Sequence, residues 1–214
     1  AAADMLAGHY MVEGILSSLI KSLKTGEGSL VETSLMEALL DFQFEVLTTY
    51  LNDGNRMPVR SSYNNAHAYL SAPYGIYKTK DSFIAIAMTP VPNLGKLLGL
   101  DSITSYTDQK QWFTKRDEIK KLIGDWLVKE TTNHWLSILQ PADIWCAEVL
   151  EWDKMIQNEG FKVLDMFQNI KRSDGISIET LRCPIRINNE IFKSDIAAPL
   201  VGQHNDEITQ EYNL

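Results

Sequence analysis

The 214 residues are 44% hydrophobic and 22% charged, an ordinary balance with ample length for a real core. A net charge of −8 and the lack of any basic tract argue against nucleic acid and anionic membrane as main partners. Two cysteines, Cys146 and Cys183, are too few for a disulfide framework and have no metal-ligand spacing, so both are expected as reduced, buried thiols in a cytoplasmic protein; no apolar run approaches a membrane span.

Asp4 stands just before the apolar repeat Met11, Ile15, Leu19, Leu23, backed by Val12, Leu16 and Ile20, which predicts one long helix with the acid as its N-cap. Thr25-Gly26-Glu27-Gly28 ends that helix, Leu30 to Thr33 reads as a brief strand, and Ser34 with Glu37 makes a capping box for a helix over 35–51. Asn52-Asp53-Gly54-Asn55 stops this second helix, and a polar, aperiodic loop runs to Pro73. Gly75–Lys78 and Phe83–Ala87 predict a hairpin about Thr79-Lys80-Asp81-Ser82. A short helix follows around Leu94, Leu97 and Leu98, then a long one from Asp108 with Trp112, Ile119, Ile123 and Trp126 on its apolar face. Thr132 is placed as the cap of a third, ended by Pro141, and Asp153 opens one more. Phe161–Ile170 and Ile176–Leu181 alternate around a turn at Asp174-Gly175, Pro184–Ile187 is extended, and a helix runs over 203–212. The five Trp residues read as core and interface anchors.

Taken in order, Ala3-Asp4, Gly8, Gly14-Ile15, Thr25-Gly26 with Gly28, Ser34, Pro73-Tyr74-Gly75, Lys80-Asp81, Gly99-Leu100-Asp101, Pro199 and Gly202-Gln203-His204 closely resemble the family III CoA-transferases. This CaiB/BaiF family includes formyl-CoA transferase, carnitine CoA-transferase and the related alpha-methylacyl-CoA racemase. No single piece is specific; the ordered series is. The resemblance implies an α/β fold, with a Rossmann-like large domain interrupted by a small α/β domain. Residues 1–52 would be the second half of the large domain, 53–73 a linker, 74–160 the small domain, and 161–214 strands and a segment returning to the large domain. An N-terminal part of the family pattern is missing, so the chain is expected to be a fragment. Family members form interlocked homodimers.

The resemblance places Asp4 where the transferases carry their nucleophile and the racemase a proton-transfer residue. A carboxylate there can exchange CoA between organic acids through an aspartyl thioester, and the free N–H groups of a helix start would favour the anions involved. The competing reading of Asp4 is a plain N-cap. Leu35 matches an apolar position near CoA, against a simple role in core packing. The loop from Tyr63 to Pro73 occupies the place of a glycine-rich lid but has no glycine. Substrates are expected to be acyl-CoA and a carboxylic acid, with no metal, since His9, His67 and His134 have no i, i+4 partner. Family racemases carry a Glu just after the small-domain hairpin, where this chain reads Met88-Thr89-Pro90-Val91-Pro92, so transferase is preferred. The remaining alternative is an inactive piece, with CoA bound weakly or not at all.

Overall fold

The opening repeat forms a single helix, α1 (Ala2–Thr25). The computed structural model describes residues 1–63 and 67–213, which divide into two units, Ala1–Val149 and Leu150–Leu214. Gly26 closes α1 in the left-handed region at φ 76°, its N–H donating to Ser22 O at 2.8 Å. At the other end, the sequence expectation is off by a turn. Alanine is the best helix former, and the Met5 N–H already donates to Ala1 O at 3.0 Å. Asp4 therefore sits inside the first turn rather than at the cap.

The strand expected at Leu30–Thr33 does not form; no neighbouring strand pairs with it among the described residues. Val31 is instead pressed on α1 at Gly14. The single helix expected over 35–51 is two, α2 (Leu35–Phe42) and α3 (Phe44–Asn52). At Gln43 the backbone N–H turns to Leu40 O, while the Gln43 side-chain amide donates to Leu39 O at 3.0 Å, so the regular ladder is interrupted. Ser34 caps α2, its Oγ accepting from Glu37 N at 3.1 Å and donating to Glu37 Oε2 at 2.6 Å, a variation on the expected box.

Strands β1 (Gly75–Lys78) and β2 (Phe83–Ile86) pair in antiparallel register, Gly75 opposite Ile86, as the hairpin reading expected. A third strand, β3 (Cys146–Glu148), joins the far side of β2 with Ile86 opposite Cys146. One face of this sheet, carrying Tyr77, Ile84 and Ile86, is buried. It packs in one core cluster with Val91, Leu94 and Leu98 of α4 (Val91–Leu98), Ile119, Ile123 and Leu127 of α6 (Arg116–Leu127), and Trp135 and Leu139 of α7 (Thr132–Leu139). The helix expected from Asp108 breaks at Lys115 into α5 (Gln109–Thr114) and α6. There the Thr114 hydroxyl donates back to Lys110 O at 3.0 Å, a bond that bends helices. The cap of α7 is Thr131, not Thr132.

Three tryptophans anchor this core through their indole N–H: Trp112 to Tyr106 O, Trp126 to Leu98 O and Trp135 to Leu127 O. Trp145 and Trp152 are 75% and 80% exposed, so neither is a core anchor within this chain. The apolar faces of α1, α2 and α3 are also open: Val12, Leu16, Leu19, Leu23, Phe42 and Phe44 all lie on the surface.

The second unit holds two short helices, α8 (Trp152–Gln157) and α9 (Glu159–Lys162), then the hairpin β4 (Phe167–Lys171) and β5 (Ser177–Leu181), the small ladder β6 (Arg186–Ile187) and β7 (Glu190–Ile191), and α10 (Asn205–Tyr212). Arg182 is its one buried residue among those described. Its guanidinium donates to the carbonyls of Leu164, Asp165 and Cys183, joining the 164–165 turn to the end of β5 in place of an apolar core. Cys183 is exposed, which corrects the expectation of a buried thiol; Cys146 is half-buried and burial pushes its thiol pKa up. No helix among the described residues is long and apolar enough to cross a membrane.

Candidate functional site

The carboxylate of Asp4 is exposed in the first turn of α1, at the end where a long helix presents its positive dipole and free N–H groups. Three contacts fix the α1–α2 side of the fold. The Tyr10 hydroxyl donates to Asp41, Val31 lies on Gly14, and Lys21 reaches Ser29 at 3.5 Å. The Asp41 carboxylate beside it raises the Tyr10 pKa. Tyr10 is roughly one and a half turns beyond Asp4 along α1, so the acid stands clear of these contacts. Leu35 opens α2 and is 52% exposed. At that exposure it is not part of a core within this chain. No hydrogen bond joins the Asp4 and Leu35 elements at those two residues among those described.

The signature around the hairpin does structural work. Asp81 accepts from the Thr132 N–H at 2.8 Å, the Thr132 hydroxyl at 3.0 Å and the Thr79 hydroxyl at 3.3 Å. These bonds, the Thr132 backbone N–H first, hold its carboxyl below the usual range. The hairpin is thereby tied to the start of α7. Tyr77, fully buried, donates its hydroxyl to Pro73 O beside a cis Ala72–Pro73 bond, and its pKa is driven far up by desolvation. Gly99 ends α4 at φ 64°. Gln203 likewise folds the chain: its side-chain oxygen accepts from Leu200 N and the Ser173 hydroxyl.

A cavity of about 820 Å³ opens on the other face of the β1–β2–β3 sheet. Its floor is the cross-strand row Ile76, Ala85, Ala147 with Ala87; Tyr74 and Trp145 stand at its sides, and Arg60 and His67 supply charge and donors. His67 Nδ1 accepts from Tyr69 N at 3.2 Å, which leaves the proton of the neutral ring on Nε2; Glu45 Oε1 lies 3.9 Å from that atom. Metal-ligand spacing gives no reason to pick out His67, and no sequence motif marks Arg60 or Trp145 as cavity residues. The available signal was the alternation of alanines at 85 and 87 along a strand, where bulky β-formers are the norm. The expected lid from Tyr63 to Pro73 includes Asn64 and Asn65, which lie outside the described residues.

The α/β arrangement thus carries an exposed acid in the first turn of a long helix and a hairpin braced by Asp81. The profile of CoA-transferase family III matches residues 1–205, and the chain belongs to that family. It is 24% identical to a succinate–glutarate CoA-transferase of Agrobacterium fabrum over 99% of this chain and 53% of that protein. It is 25% identical to an (R)-2-hydroxy-4-methylpentanoate CoA-transferase of Clostridioides difficile, over 96% and 52%. Human alpha-methylacyl-CoA racemase is 24% identical over 99% and 55%. The fold matches the crystal structure of Rv3272 from Mycobacterium tuberculosis with a TM-score of 0.74 at 19% identity, covering 95% of this chain and 54% of that one. A CAIB/BAIF family protein from Brucella suis gives 0.72 at 21% identity, covering 98% and 55%. The chain thus spans about half the length of the relatives it matches.

Proposed function

We propose that this chain is the part of a CoA-transferase that carries the nucleophile, Asp4, and that the enzyme moves coenzyme A between organic-acid carboxylates. The observation that carries the reading is the exposed Asp4 carboxylate at the positive end of α1, within a chain that matches the transferase family over residues 1–205.

In this mechanism the Asp4 carboxylate attacks the thioester carbonyl of the donor acyl-CoA. The C–S bond breaks, CoA thiolate leaves, and a mixed anhydride remains on Asp4. The thiolate then attacks the aspartyl carbonyl of the anhydride, releasing the donor acid and leaving an aspartyl–CoA thioester. An acceptor carboxylate reverses the two steps. Each exchange has similar energy on its two sides, which is why a carboxylate suffices as relay. Free N–H groups of the first turn face the anions as they form; one such donor is worth about 3 kcal/mol in comparable sites. Leu35, exposed at the start of α2, is proposed to border the CoA arm.

The reading also assigns residues 1–52 to a larger Rossmann-like domain, 53–73 to a linker, 74–160 to a small domain and 161–214 to a returning segment, in a cytoplasmic homodimer. The uncovered apolar faces of α1 to α3 support the first of these, because surfaces of that kind ordinarily pack against something. A 2-methylacyl-CoA racemase is the second reading, supported by the racemase relative. It needs acid–base groups on both faces of the α-carbon, and Met88 to Pro92 after the hairpin offer no acid.

The test is incubation of the full-length protein with an acyl-CoA, trapping with hydroxylamine or borohydride, and mass spectrometry. A modified Asp4 is expected. Asp4→Asn, nearly isosteric but a poor nucleophile, should abolish turnover with the far-UV circular dichroism unchanged. Exchange of the α-proton with deuterium, without CoA exchange between acids, would favour the racemase.

A further inference from the structure

Asp4 is not among the residues that line the cavity on the outer face of the β1–β2–β3 sheet, yet this cavity has the make-up of a ligand site. Its volume, about 820 Å³, falls in the range of small-molecule pockets. Three features define what it can hold. Its floor is lined with small side chains, Ala85 opposite Ala147 in register, flanked by Ile76 and Ala87, so the pleated surface stays low where larger residues would fill it. Beside the floor stand two aromatic rings, Tyr74 and Trp145, and the indole is 75% exposed. An open indole next to an apolar floor offers a platform for a flat group, and covering it contributes about 25 cal/mol per Å² of apolar area.

The charge in the lining is of one sign. Arg60 contributes a guanidinium and His67 an Nε2–H, and among the described residues no carboxylate lines the cavity. In a chain of net charge −8, a guanidinium in the cavity lining favours an anion on the Arg60 side. Glu45 Oε1 lies 3.9 Å from His67 Nε2, beyond hydrogen-bond reach, so Nε2–H stays able to donate. A guanidinium meets a carboxylate with two parallel N–H···O bonds.

We propose that this cavity binds an organic acid with a flat apolar body, the body lying on Ala85, Ala147 and Trp145 and the carboxylate meeting Arg60 and His67. That the acid is a substrate of the transfer rests on the proposed function; its binding here does not. The site deepens that reading by naming the acid class for which the chain carries a pocket.

The probe is 3-phenylpropanoate, titrated calorimetrically into the 214-residue chain, with the neutral 3-phenylpropanol as its counterpart. Saturable binding of the acid is expected, with the alcohol at least tenfold weaker. Arg60→Gln, an exposed position, should weaken the acid about tenfold and leave the alcohol unchanged. Ala85→Leu should remove binding of both by filling the floor, and Ala147→Leu serves the same purpose if the first variant loses its circular dichroism. Absence of binding at millimolar probe, equal affinity for acid and alcohol, or indifference to Arg60→Gln or to the filled floor each overturns the proposal. Asp4→Asn is expected to bind the acid normally. An adduct on Asp4 with no acid binding in the cavity sinks the site alone, whereas acid binding with no adduct sinks the transfer reading alone.

Discussion

Gly95 allows α4 to press against the turn that follows it, and replacing it with alanine measures how tightly. A Cβ at this position would lie 2.8 Å from Ile103 Cγ1, 3.0 Å from Thr104 Cγ2 and 3.1 Å from Leu100 O. Ile103 is fully buried, and Leu100 is held by its own N–H donating to Gly95 O at 2.8 Å. A side-chain end could swing away from the new methyl; a backbone carbonyl fixed by the helix end cannot. Overpacking of this kind costs about 1–3 kcal/mol, and three simultaneous contacts put it near the top, about 3. Alanine regains about 1 kcal/mol of helix propensity, leaving a net loss of about 2. For a chain of this length that corresponds to a fall of about 4–8 °C in Tm. The internal control is Gly8→Ala in α1, where a Cβ meets nothing within 4 Å, so propensity alone should act and stabilise by about 1 kcal/mol. Urea titrations followed by far-UV circular dichroism give both values. A Gly95→Ala protein as stable as the parent would refute the packing argument, because the propensity term by itself runs the other way.

Gly14→Ala would put its Cβ 2.6 Å from Val31 Cγ1, and the stiff β-branched chain has little room to turn. The double variant Gly14→Ala with Val31→Ala is expected to recover most of the stability lost by Gly14→Ala; additive losses in a double-mutant cycle would show that Val31 is not the clashing group. Asp81 titrates below its ordinary 3.8 in the folded state, so its contribution is complete above that pH and disappears as pH falls through the lower folded value. Asp81→Asn should therefore be less stable at neutral pH and show a shallower loss of stability below about pH 4; an unchanged slope would remove Asp81 from the network. The 214-residue chain is expected to bind CoA weakly or not at all, since it has no phosphate-cradling glycine loop, and micromolar binding by calorimetry would contradict this.

Periodic stretches were the easiest to read. The hairpin about Thr79 to Ser82, the helices over α1 and α4, and the end of α7 before Pro141 all follow from patterns confined to a few residues. The breaks at Gln43 and Lys115 escaped because side-chain bonds make them, from Gln43 to Leu39 O and from Thr114 to Lys110 O, without disturbing apolar spacing. Leu30 to Thr33 had strand composition, but a strand is defined by its neighbour, which one segment does not contain. Asp4 looked like a cap because capping is a preference of Asp; three alanines before or beside it simply carried the helix back a turn. Of the candidate site, Asp4 and Leu35 came from the ordered resemblance. Arg60, His67 and Trp145 did not, since a cavity gathers residues from three strands and a loop that no local window compares.

The split between three sheltered indoles and two open ones has a spectroscopic consequence. Trp112, Trp126 and Trp135 sit within or against the first unit's core, each with its N–H engaged by a carbonyl, whereas Trp145 and Trp152 meet solvent. Iodide should quench the second group more strongly in the native state, giving a downward-curving Stern–Volmer plot whose accessible fraction rises when the core opens. The chain therefore carries an intrinsic gauge of its own integrity, readable without any label.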